Sequence, residues 1–128
     1  MPKFSKKSIG YLNNAHPNLR CVANEAIKHF DFMVVESFRG KTAQETAYAK
    51  GNSRAKFGQS PHNYSPALAI DIVPYPVDWN DLKRFDEMGA VFLKAAETCG
   101  VKVTWGKNFS TLKDYPHFEL ANWKELAK

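Results

Sequence analysis

Hydrophobic positions recur along this chain at two spacings, and the switches between them divide it into elements. Helical spacing opens at Ser5, with Ile9 and Leu12 on one side. It resumes after Pro17 through Leu19, Val22, Ala23, Ala26, Ile27 and Phe30. The run FMVVES, Phe32 to Ser37, is short and rich in β-branched residues, which predicts a strand. TAQETAYAKG predicts a helix with Thr42 as its N-cap and Gly51 as its stop. Residues 52–66, dense in Asn, Ser, Gly and Pro, predict a loop, and ALAIDIVPY predicts the second strand. The longest helical pattern, 78–100, sets Leu82, Phe85, Met88, Phe92, Leu93 and Ala96 on its core face and ends at Gly100. VKVTW and HFEL are two further strands, before a short terminal helix holding Trp123 and Leu126. Helices first, then strands interleaved with helices, predict an α+β domain with a small, mainly antiparallel sheet flanked by helices.

Composition narrows the picture only a little. A chain of 128 residues fits one domain, residues 1–128, and is too short for a catalytic domain plus a separate binding module. No apolar run approaches the roughly 20 residues that span a bilayer. The opening MPKFSKKSIGYLNNAHP has basic residues but no apolar stretch behind them, so synthesis in the cytosol without a signal peptide is expected. The net charge of +5 favours an anionic partner, yet Lys and Arg are scattered and form no basic stripe or helix-turn-helix pattern. A specific nucleic-acid partner is therefore not expected. Cys21 and Cys99 lie in apparent helices without a C-x-x-C motif, and free buried thiols are the expectation for a chain made in a reducing compartment.

One position breaks the hydrophobic pattern. Asp71 stands between Ile70 and Ile72 in a strand that otherwise reads as buried, and an unpaired carboxylate there costs several kcal/mol. Two readings remain open on local sequence. Alternation could turn Asp71 to a half-exposed face with an Arg partner, or a cation could neutralise it. His62, in the polar loop before that strand, and His117, at the head of HFEL, supply two nitrogens to the carboxylate's oxygen. Three such ligands with one open position form the donor set of a catalytic zinc. His16 and His29 have no comparable setting and read as surface residues. Asp114 lies three residues before His117 in DYPH, placed to take a proton from water and deliver it to a leaving amine. Arg39, at the end of the first strand, could stabilise an oxyanion. Without a metal, Asp114 is a turn residue and Arg39 a surface cation.

In one order, then, the chain carries Ser-x-His (Ser60, His62), Ala-x-Asp (Ala69, Asp71), Asp-x-x-His (Asp114, His117), and Arg39 with Gln44 five residues on. This set resembles the zinc peptidoglycan peptidases of the M15 type, the VanY-like D-alanyl-D-alanine carboxypeptidases and the compact phage L-alanyl-D-glutamate endopeptidases, most of all the last. The resemblance runs from HPNL to WKEL. It implies a Hedgehog/D,D-peptidase-like fold, Zn2+ on His62, Asp71 and His117, and Asp114 as catalytic acid/base. It also implies that Arg39 assists catalysis and that Ser60 and Gln44 serve the substrate pocket. The implied substrate is a peptidoglycan stem peptide, cut at its L-alanyl-D-glutamate bond by a monomeric lysis enzyme that another factor releases to the cell wall. D,D-carboxypeptidase activity is the sister reading, and a non-catalytic zinc-bearing module the reading from another class. One departure stands out: the family pattern has six residues between the His and the Asp. Here there are eight, with Ser65 to Ala67 where a single Gly is usual.

Overall fold

The computed structural model describes residues 3–53, 55–109 and 113–127. Five helices and four strands follow in the order α1 (Lys6–Asn13), α2 (Pro17–Ala26), β1 (Phe32–Glu36), α3 (Lys41–Ala49), β2 (Ala69–Pro74), α4 (Leu82–Cys99), β3 (Val103–Trp105), β4 (His117–Leu120) and α5 (Trp123–Leu126). The strands form one sheet, β1-β2-β4-β3, antiparallel at every pairing. The α+β expectation holds, and so do most element positions.

The helices begin and end for local chemical reasons. Ser5 caps α1 by accepting from the Ser8 amide at 3.1 Å, and His16 caps α2 through Nδ1 at 3.0 Å from the Asn18 amide, with Pro17 at the first helical position. Asp81 caps α4, and Gly100 ends it in the left-handed conformation (φ 68°) that glycine adopts without steric cost. The α3 N-cap is Gly40, two residues before the expected Thr42, because the chain already turns helical after the Arg39–Gly40 corner.

Packing is one-sided. α2 and α4 lie together, with α4 also against β2 and β3, so Phe85, Met88 and Phe92 meet Ile70, Ile72, Phe118 and Leu120. Phe118 centres this core, with Phe92 at 4.4 Å and a stacked Trp105 at 5.6 Å between ring centroids. Gly89 lets Trp105 lie directly on α4, since a Cβ there would fall 2.2 Å from the indole. Ile9 and Leu82, expected on the apolar sides of their helices, are 46% and 48% exposed. Cys21 and Cys99 are disulfide-bonded, which corrects the expectation of free buried thiols. The α2–α4 packing brings their Cα atoms to 6.3 Å, within bridging range, and Cys21 is exposed. Among the described residues no helix is long and apolar enough to cross a membrane.

Candidate metal centre

Strand alternation puts Ile70 and Ile72 into the core and turns Asp71 to the opposite face of the sheet. Asp71 pairs directly with His117 across the β2–β4 ladder, so the two side chains stand side by side. β1 adds to the same face through a bulge: the register slips between Val34 and Glu36, so that Glu36 rather than Val35 pairs with Asp71.

His62 arrives from a single 3-10 turn, Pro61–Asn63. Ser60 opens that turn by accepting from the His62 amide at 3.2 Å, while Asn63 Oδ1 accepts from the Ser60 and Gly58 amides. The two extra residues after His62 are absorbed beside the α1–α2 corner. Ala67 donates to the Asn14 carbonyl at 2.7 Å and accepts from the His16 amide at 2.9 Å. The lengthened loop therefore reaches the start of β2 by docking on the helical layer.

The three expected ligands meet. His62 Nε2 lies 3.2 Å from His117 Nδ1 and 3.2 Å from Asp71 Oδ1, and His117 Nδ1 lies 3.1 Å from Asp71 Oδ1. Ligands held at about 2.0–2.1 Å by a tetrahedral zinc stand roughly 3.3 Å apart, so the triangle has the dimensions of one tetrahedral face. The outer hydrogen bonds fix which atoms point inward. His62 Nδ1 is 2.7 Å from the Ser37 carbonyl, which can only accept, so the ring is protonated there and presents a lone pair at Nε2. His117 Nε2 is 2.7 Å from Glu119 Oε1, which leaves Nδ1 inward. Two imidazole lone pairs and a carboxylate oxygen thus converge, an arrangement that calls for a cation between them. His62, Asp71 and His117 form a group that could hold a metal ion.

A proton is the competing occupant. Burial works against the charged form of His117, but the hydrogen bonds it donates to Asp71 and Glu119 outweigh it and raise its pKa from 6.5 to about 10. Burial likewise opposes ionisation of Asp71, yet the charge on His62 and hydrogen bonds from both histidines hold its carboxyl well below the ordinary range.

Asp114 lines the same cavity as His62 and His117. Burial first, and then the negative charge of Asp71, push its carboxyl above the ordinary 3.8. It is held there by Gly106, whose carbonyl accepts from the Asp114 amide at 3.0 Å. A Cβ at Gly106 would come 2.3 Å from the Asp114 carbonyl oxygen, so only glycine permits this approach.

Arg39 also lines the cavity, locked by its surroundings. It donates to Gln44 Oε1 at 3.0 Å and Glu36 Oε2 at 3.4 Å, and its guanidinium lies 4.0 Å from Asp71 Oδ2. Ser60 is on the wall, but Gln44 is not: it is fully buried behind Arg39. Its amide donates to Ser53 Oγ and the Ala55 carbonyl, and its oxygen accepts from Arg39 and Asn63. Gln44 therefore braces Arg39 and the His62 loop from behind the cavity wall. Sequence reasoning missed Glu119 and the Ser37 carbonyl. Glu119 had a usable signal, since in HFEL it is two residues from His117 and so on the same face.

The phage L-alanyl-D-glutamate peptidase family model matches residues 1–121. The chain is 32% identical over 123 residues to the L-alanyl-D-glutamate peptidase of Escherichia phage T5, covering 92% of this chain and 88% of that protein. It is 31% identical over 115 residues to the peptidoglycan L-alanyl-D-glutamate endopeptidase CwlK of Bacillus subtilis (strain 168), covering 77% of this chain and 65% of that longer protein. Its fold is similar to the crystal structure of the L-Ala D-Glu endopeptidase ChiX of Serratia marcescens, with a TM-score of 0.83 and 28% identity over 98% of this chain and 95% of the other.

Proposed function

The chain belongs to the phage L-alanyl-D-glutamate peptidase family and is a peptidoglycan endopeptidase, and we propose that it is a zinc enzyme cutting the L-alanyl-D-glutamate bond of the stem peptide through His62, Asp71, His117 and Asp114. The observation that carries this reading is the triangle of inward-pointing donor atoms at 3.1–3.2 Å, whose outer atoms are already committed to Ser37 and Glu119. His62, Asp71 and His117 would hold the zinc, which when bound would supply Lewis-acid polarisation of the scissile carbonyl and a more acidic water.

The remaining chemistry belongs to the chain. Asp114, buried enough to bind a proton more readily than an ordinary carboxylate, takes the proton from the attacking water and hands it to the departing D-glutamate amine. Arg39 presents a fixed positive charge to the oxyanion, and its bracing by Gln44 and Glu36 removes the cost of organising it during the reaction. Ser60 holds the His62 turn and forms part of the pocket wall. All these groups come from one chain, so the site is complete without a partner subunit. The Cys21–Cys99 disulfide suits an oxidising space such as the periplasm, where a lysis enzyme released from the cytoplasm meets the wall.

The test digests purified peptidoglycan with and without a chelator and identifies the new termini by mass spectrometry. New N-terminal D-glutamate with free L-alanine carboxyl ends is the expected product. Released D-alanine alone would reassign the enzyme as a D,D-carboxypeptidase. Cleavage indifferent to chelation would remove the metal from the mechanism.

A further inference from the structure

Two cavities meet at Trp123. The cavity over the donor triangle, ≈ 490 Å³, has Gln59, Trp123 and Lys124 in its wall. The second, ≈ 470 Å³, shares those three residues and continues over Gly58, Tyr64 and Ala127. The trench therefore runs on past the reacting centre along α5, into a region to which the proposed chemistry assigns no task.

We propose that this second cavity is a sugar subsite, which holds the N-acetylmuramic acid to which the substrate's L-alanine is joined. The inference rests on the L-alanyl-D-glutamate reading. In a stem peptide the L-alanine nitrogen is acylated by the lactyl group of the muramic acid. The alanine and the lactyl ether thus separate the sugar ring from the scissile bond by about two residue lengths, roughly 7 Å. An enzyme that cuts there has to accommodate a sugar close to its reacting centre.

The walls suit that guest. Trp123 and Tyr64 form an aromatic floor, their centroids 6.3 Å apart and their planes inclined by 44°. A pyranose packs its C–H face on such rings while polar groups at the rim bond its hydroxyls and acetamide. Gln59 and Lys124 supply those groups, with Lys124 Nζ 5.8 Å from the Trp123 centroid. Away from this floor, the first cavity is lined by Arg39, Asn52 and Ser53, where a cation suits the carboxylates of D-glutamate and the residues after it. Each part of the trench thus matches a different part of the substrate.

The experiment compares two substrates, a disaccharide-tetrapeptide and the same tetrapeptide without sugar, on wild type, Trp123→Ala and Gln59→Ala. Wild type is expected to prefer the glycan-bearing substrate roughly tenfold in kcat/KM. Trp123→Ala should raise KM for that substrate by about the same factor, with kcat kept and the sugar-free preference lost. Gln59→Ala should act in the same direction and less. Equal kcat/KM of wild type for both substrates, or a Trp123→Ala loss that is the same on both, would overturn the subsite. Indole N–H signals are read in parallel while peptide-free N-acetylglucosaminyl-N-acetylmuramic acid is titrated in. A shift of the Trp123 signal supports the subsite even if neither substrate is cut, in which case the cleavage reading alone has failed. No shift overturns the subsite even if both are cut.

Discussion

One face of the sheet carries Ile70, Ile72, Phe118 and Leu120, the other Asp71, His117 and Glu119, and the two sets alternate along the same two strands. The first set is complete in itself: each side chain is within 1% of full burial and touches other apolar groups. The second set is not. Its donor atoms point at one another, and only a proton or a cation makes that arrangement favourable. Apolar packing fixes the backbone that forces the polar atoms together, so stability and chemistry are divided between the faces of a sheet only four strands wide. Changes on the core face should move folding and spare the reaction; changes on the other face should do the reverse.

The largest effect expected is on the polar face. His62→Ala should reduce bound zinc from one per chain to none that survives dialysis, and peptidoglycan cleavage to the chelated background, with the far-UV circular dichroism of wild type. Near-normal activity in this variant would take the triangle out of the reaction. Its counterpart on the core face is Phe118→Ala, next to a ligand in sequence but facing away from it. That change should cost about 3–5 kcal/mol in urea unfolding while kcat per folded molecule stays within roughly tenfold of wild type. If Phe118→Ala instead abolished zinc binding in folded protein, the two faces would not be separable.

Asp114→Asn comes next. Loss of a general acid/base costs roughly 10²–10⁴ in kcat, and zinc stoichiometry should be unchanged because Asp114 lies outside the donor triangle. Wall lysis at wild-type rates would dismiss Asp114 from proton transfer. A smaller effect is expected at Glu119, which touches only the outer nitrogen of His117. Glu119→Ala should weaken zinc binding about 10–100-fold, and Glu119→Gln, which keeps an acceptor, should recover most of that loss. Competition against a chromogenic chelator measures both.

The contrast between the faces also explains what the sequence could disclose. Period-two alternation was enough to see that Asp71 departs from its neighbours, and HFEL shows His117 and Glu119 on one side as readily as Phe118 and Leu120 on the other. Local pattern fails where a contact depends on distant chain. The bulge that brings Glu36 to Asp71 is a register slip in a pairing between residues far apart in sequence. Gln44 looked like a pocket residue because spacing from Arg39 cannot say which of the two stands in front. The Cys21–Cys99 bridge, 78 residues apart, exists because α2 packs on α4, which no property of either helix alone predicts. The path of Ser65 to Ala67 depends on a corner of α1 and α2 some 50 residues earlier, at Asn14 and His16.

The pH dependence of stability is the sharpest test of what occupies the polar face. The folded pKa of His117 is about 10, raised from 6.5. A group that binds its proton more tightly when folded adds stability that is complete below the unfolded pKa and disappears as pH rises through the folded one. Metal-free protein should therefore lose stability steadily between about pH 6.5 and 10. Asp71 is shifted the other way, so its contribution is present above its ordinary 3.8 and fades only in acid, outside this window. Zinc held at Nδ1 would displace the proton there, so the loaded protein would have no Nδ1 proton to lose. Urea midpoints at about pH 6, 8 and 10, with chelator and with saturating zinc, compare the two occupants, since titrating groups outside the three ligands are common to both series. The chelated series should fall relative to the loaded one as pH rises. Phe118→Ala should lower both in parallel, because its packing loss does not depend on the proton. Glu119→Gln should flatten the chelated series alone, because it weakens one of the hydrogen bonds that raise His117. Parallel chelated and loaded series in the wild type would mean that proton and metal do not compete for Nδ1, and His117 would cease to be a ligand.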